Sequence, residues 1–116
     1  MREAVINKDD FTKAERRVMR ELVPEIHEVE ARKALAALDA GFQRWRERAL
    51  DSGDLIAAIH EFHQRGARDL WSTYSLLKDP ELLARGVGLG FIAEDRVPDA
   101  IREKLASLIE FYRPDA

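Results

Sequence analysis

The chain contains no cysteine. That excludes disulfides, thiolate metal sites and a cysteine nucleophile. It suits a reducing compartment, and a cytoplasmic protein is expected. Glycine and proline are scarce, at six and four residues, so few turns are available. No run alternates apolar and polar residues in the manner of a strand, and no Asn-Gly hairpin signal occurs. No window of about 18 apolar residues exists, so no membrane span is expected. The opening MREAVINKDDF lacks the apolar core of a signal peptide. Neither sign of charge dominates: 22 acidic against 19 basic residues leave a net charge of −3. No general positive field would gather nucleic acid.

What is present points to helices. Hydrophobic residues make up 46% of the 116-residue chain and charged residues 35%. A chain rich in both classes and poor in breakers makes amphipathic helices. Its length fits one domain covering residues 1–116, with about the first eight flexible, as chain ends commonly are. No repeat or low-complexity tract divides it.

Punctuation sets the helix boundaries. Asp10 can cap a first helix, and Thr12 with Glu15 has the capping-box spacing. Phe11, Val18 and Leu22 then recur at helical steps. Pro24 predicts a break or kink there. From Pro24 to about Leu50 the apolar seam is Leu35, Leu38, Phe42, Trp45 and Ala49, spaced 3-4-3-4. A helix of that extent is roughly 40 Å long, which calls for a long partner. Asp51-Ser52-Gly53-Asp54 reads as a tight turn, which makes the next helix an antiparallel neighbour. That helix carries Leu55, Ile59, Phe62, Leu70, Tyr74 and Leu77, with Gly66 weakening its middle. Asp79 is the expected cap of a following helix, with Pro80 at its first position. Residues 81–93 are apolar nearly all round, as in a buried helix. A last helix runs from about Pro98 to Tyr112 on an inner stripe of Val97, Ile101, Leu105, Leu108 and Tyr112. The expected fold is all-α: a four- or five-helix, bundle-like domain built on a long antiparallel helical hairpin.

The most chemical-looking stretch is Ile59-His60-Glu61-Phe62-His63. Positions three apart share a helix face, so His60 and His63 are candidate metal or ligand contacts, with Asp39 and Glu61 assisting. The motifs that would carry such chemistry are incomplete. A zincin needs His-Glu-x-x-His, and a di-iron bundle pairs Glu-x-x-His motifs with further glutamates. Here Ala57 stands three before His60, and His60 itself stands three before His63. With the turn centred near Ser52, His60 is expected opposite Arg44 and His63 opposite Gly41, which is poor company for a metal. A half-buried histidine satisfied by Asp39 or a carbonyl is the simpler expectation for His63. No cofactor is expected.

Gly86-Val87-Gly88-Leu89-Gly90 has neither the spacing nor the lysine of a phosphate loop; on a helix Gly86 and Gly90 share a face that admits a close neighbour, and the alternative is an irregular buried turn. Arg44-Trp45-Arg46-Glu47-Arg48 mixes an aromatic with basic residues, and Arg16, Arg17 and Arg20 form a second patch. Arg44, Arg48, Arg16 and Arg20 are therefore nucleic-acid candidates. Their acidic surroundings and the placement of Trp45 on the apolar seam favour solvated helix faces instead. Glu25 and Glu28 follow Pro24, where they complement a helix dipole. The four serines lie in no Gly-x-Ser-x-Gly elbow.

The function expected on these grounds is that of a small helical interaction or regulatory protein without catalysis, acting as a homodimer or on a protein partner. Val29, Ala34, Ala37 and Gly41 offer a second, small-residue face for a two-fold contact. The rival expectation is a metal- or ligand-binding protein or enzyme built on His60 and His63.

Overall fold

A computed structural model describes residues 8–115. The expected flexibility of the chain start falls chiefly on residues outside that range. Among the described residues there is no strand. The order is a 3-10 turn at Lys8–Asp10, α1 at Lys13–Arg46, α2 at Ser52–Glu61, a π-helix at Phe62–Gly66, α3 at Ala67–Leu76, α4 at Asp79–Gly88, a 3-10 turn at Glu94–Arg96 and α5 at Asp99–Tyr112. The fold is all-α and bundle-like, as the sequence predicts. No helix among the described residues is long and apolar enough to cross a membrane.

Contacts divide the chain into two compact units: residues up to Glu28 with those from Leu77 onward, and Val29–Leu76. The first holds nearly all of the core. Phe11, Met19, Leu22 and Ile26 pack with Leu82, Leu83, Ala84, Val87, Ile92, Val97, Ile101, Leu105 and Ile109. α1 starts as its sequence dictates: Thr12 N–H donates to Glu15 Oε1 at 2.9 Å, and Glu15 N–H donates to Thr12 Oγ1 at 3.0 Å, a complete capping box. α4 starts one residue earlier than expected. Lys78 holds the cap position, and its N–H donates to Glu81 Oε1 at 3.0 Å, so Asp79 is already helical.

The helix does not break at Pro24, which lies inside a continuous α1. Leu22 and Ile26 on either side of it are buried, so packing holds the helical path where local preference alone would end it. Pro24 itself is exposed, and a missing N–H costs least there.

The glycine run acts through close approach. Gly86 and Gly88 lie in α4, and a Cβ at Gly86 would stand 2.7 Å from Ile26 Cδ1 and Cγ2. A Cβ at Gly88 would stand 2.6 Å from Tyr112 Cβ and 2.8 Å from the Ile109 carbonyl oxygen. Gly90 follows the helix end with φ +84°, the left-handed conformation that favours glycine.

The second unit is an antiparallel hairpin of 29–46 against α2, the π-helix and α3. Its turn comes earlier than the sequence suggests. α1 ends at Arg46, and Asp51 caps α2 by accepting the Asp54 N–H at 2.8 Å. The expected turn residues 51–54 therefore open a helix. Gly41 faces Leu55, with 3.7 Å from a Cβ placed there to Leu55 Cδ1. The facing positions thus differ from the expected ones, in which His63 lay opposite Gly41. The π-helix ends at Gly66, where Ala67 N–H reaches the carbonyl of Phe62.

Candidate functional site

The hairpin is short of core. Of the buried apolar residues only Leu55 belongs to it, whereas seven of the large exposed ones do: Val29, Leu35, Trp45, Ile56, Ile59, Trp71 and Leu76. Trp71 is 71% exposed, Ile56 66% and Leu35 54%. Isolated apolar side chains on a surface are ordinary, but a concentration of them in one element is not.

The inner face of the hairpin is built from smaller residues than the sequence suggests. On α1, Ala31, Ala34, Leu38, Gly41 and Phe42 are half-buried. Leu38 and Phe42 are thus on the inner seam as expected, whereas Leu35, Trp45 and Ala49 are exposed. Gly41 faces Leu55 at ordinary contact distance, and the half-buried positions of this arm include Ala31 and Ala34. The small-residue face expected to pair two molecules is split by this arrangement. Ala34 and Gly41 are taken up inside the hairpin, while Val29 and Ala37 remain exposed.

His60 closes α2 and His63 lies in the π-helix. Both are exposed, so the half-buried environment expected for His63 is not found. His63 lines a shallow groove with Gln64, Ala67, Arg68 and Trp71. Glu61 pairs with Arg65 at 3.1 Å, and Asp39 accepts from Gln43 Nε2 at 3.5 Å. Among the described residues no hydrogen bond or ion pair joins either histidine to Asp39 or Glu61. No group of three or more His, Asp or Glu side chains among the described residues is placed to hold a metal ion. The described residues also contain no buried polar or charged side chain.

The arginine candidates fall on different units. Arg16 and Arg20 belong to the first, where Arg16 donates to the Phe11 carbonyl at 2.7 Å; Arg44 and Arg48 belong to the hairpin. Trp45, expected to be buried, is 40% exposed, and its indole N–H donates to Ser52 Oγ at 3.0 Å. Trp45, Arg46, Arg48 and Ser52 line a second groove at the hairpin tip. Glu47, Asp51 and Asp54 stand among these arginines, so the tip carries no clear excess of positive charge.

The feature that sequence reasoning missed is the flank of the hairpin carrying Leu35, Ile59 and Trp71. The signal was present as apolar residues off the main stripe at Ile56 and Trp71. Comparison with protein families, curated proteins and solved structures finds no match for the chain.

Proposed function

We propose that the chain is a helical interaction or regulatory protein without catalytic activity, acting as a homodimer, with the Val29–Leu76 hairpin as its binding part. One observation carries this reading: the hairpin buries only Leu55 among its large apolar residues and leaves seven others in water. Helices draw most of their stability from packing an apolar face. A hairpin so exposed gains stability from whatever covers it, and binding supplies that cover. The first unit has its own core and does not need such help.

Native mass spectrometry of untagged protein, purified without chelator, tests this reading. A metal-free mass above one chain supports it. Hydrogen exchange extends the test: the reading expects hairpin amides to exchange faster than those of α4 and α5 in dilute protein, and to slow on association. A stoichiometric metal lost with His60→Ala or His63→Ala would replace this reading with the metal-binding one. A single-chain mass at every concentration, with hairpin amides as protected as the rest, would also defeat it.

A further inference from the structure

We propose that the occupant of the hairpin is a second copy of this chain. It docks on the flank marked by Leu35, Ile56, Ile59 and Trp71, about a two-fold axis passing near Leu35, so that Arg32 of each copy meets Asp39 of the other. The inference rests on the homodimer reading above and adds the face and the register.

Helical phase puts these four residues on one side. The half-buried residues of α1 centre on a line through Ala34 and Leu38, and Leu35 stands about 80° round the helix from it, at ~100° per residue. Leu55, Ala58 and Phe62 turn inward on the facing run, leaving Ile59 about 70° and Ile56 about 130° to one side. Ala67, Leu70 and Tyr74 turn inward in α3, and Trp71 takes the same offset from them. Rotations of one sense on antiparallel helices lead to a common flank. The groove lined by His63, Ala67 and Trp71 opens on that flank.

The area suits a dimer. Weighted by their exposure, the four side chains leave about 450 Å² of apolar surface in water, taking ~250 Å² for a tryptophan. A standard interface covers ~800 Å² on each partner, of which ~57% is apolar, so about 450 Å² is what one such face needs. Two hairpins joined there bring four helical arms together, as in a four-helix bundle.

The charge pattern favours a copy over a foreign chain. Along this side of the hairpin's α1 arm run Arg32, Leu35 and Asp39, at steps of three and four. Reversed on itself about Leu35, the series sets Arg32 against Asp39 twice, once on each side of the axis. Self-complementarity of this kind is what a two-fold contact requires. The same signs would repel a copy laid parallel in register.

Charge reversal tests the register. Arg32→Asp alone and Asp39→Arg alone should each raise the dimer Kd about tenfold. The double variant should return it to within about threefold of the parent. Both positions are exposed, and circular dichroism checks that helicity is kept. A thiol test is independent of charge, because the chain has no cysteine. Leu35→Cys should form a linked dimer on mild oxidation, while Val29→Cys, on another side of α1, should not. A dimer indifferent to Arg32→Asp and Asp39→Arg, and not linked through Leu35→Cys, would overturn this face and register yet leave the interaction reading standing. A chain that stays monomeric at high concentration while its hairpin exchanges fast would overturn the second copy and leave another occupant to be found.

Discussion

Tyr74 donates its hydroxyl proton to Glu30 Oε1 at 2.8 Å, joining positions 44 residues apart across the hairpin. In a unit with so little buried apolar surface, one such bond is a sizeable share of what holds the two arms together. Tyr74→Phe keeps the ring and removes the donor. It should cost about 1 kcal/mol and speed exchange of the α3 amides selectively, with α4 and α5 unchanged. Site-resolved hydrogen exchange reads this directly, and uniform acceleration would argue against a local role.

The glycine contacts of α4 differ in what they touch, and this orders the cost of filling them. At Gly86 an added Cβ meets the side chain of Ile26, which can turn. Gly86→Ala should cost about 1–3 kcal/mol as an overpacked core position. At Gly88 the neighbours include the Ile109 carbonyl and the Tyr112 backbone, which can yield only by moving α5. Gly88→Ala should therefore lower the melting temperature more than Gly86→Ala. Equal shifts would mean that the helices separate freely at both contacts.

Glu15 gives a pH dependence of known sign. Its carboxyl lies below the ordinary glutamate range, first because Lys104 Nζ donates to it at 2.7 Å, and then because the Thr12 N–H does. A carboxylate held charged in the folded state adds stability above its unfolded pKa. That stability is lost as pH falls through the folded value. Glu15→Gln keeps an acceptor for Thr12 but loses the charge. The variant should melt below the parent at neutral pH, and the two should converge in acid. Thermal melts across a pH series give the comparison, and a gap that persists in acid would assign the loss to packing.

How much of this was legible in the sequence depended on whether the signal was local. The capping box at Thr12 and Glu15 and the buried positions Ile101 and Leu105 of the last helix, with Val97 just before it, follow from short-range spacing. Pro24 does not end the helix, because Leu22 and Ile26 beside it are buried among residues distant in the chain. Asp51-Ser52-Gly53-Asp54 was misleading because turn residues and helix-capping residues are the same residue types. The seam through Leu35 and Trp45 failed for a further reason. Periodicity gives a stripe but not which edge of it meets the partner helix, and the half-buried positions run through Ala31, Ala34, Leu38, Gly41 and Phe42. The histidine pair was conspicuous by spacing alone, and the structure gives it no hydrogen-bonded connection to the carboxylates chosen for it.

The tip of the hairpin holds an arginine where helix ends prefer glycine. Arg48 N–H donates to the Trp45 carbonyl at 3.0 Å and Ala49 N–H to the Arg44 carbonyl at 2.8 Å. These two bonds form the helix-ending motif whose left-handed position is most often glycine. Arg48 takes that conformation with φ 64°, at a cost of about 1 kcal/mol for a residue with a Cβ. Glycine would relieve it, though its freer unfolded chain takes back part of the gain. Arg48→Gly should therefore stabilise the hairpin by about 0.5 kcal/mol, while Arg48→Ala, which keeps the Cβ, should not. Exchange rates of α2 and of the last turns of α1 are the measurement. Slower exchange in the glycine variant alone would locate the strain in the backbone at Arg48, and slower exchange in both would place it in the arginine side chain beside Trp45.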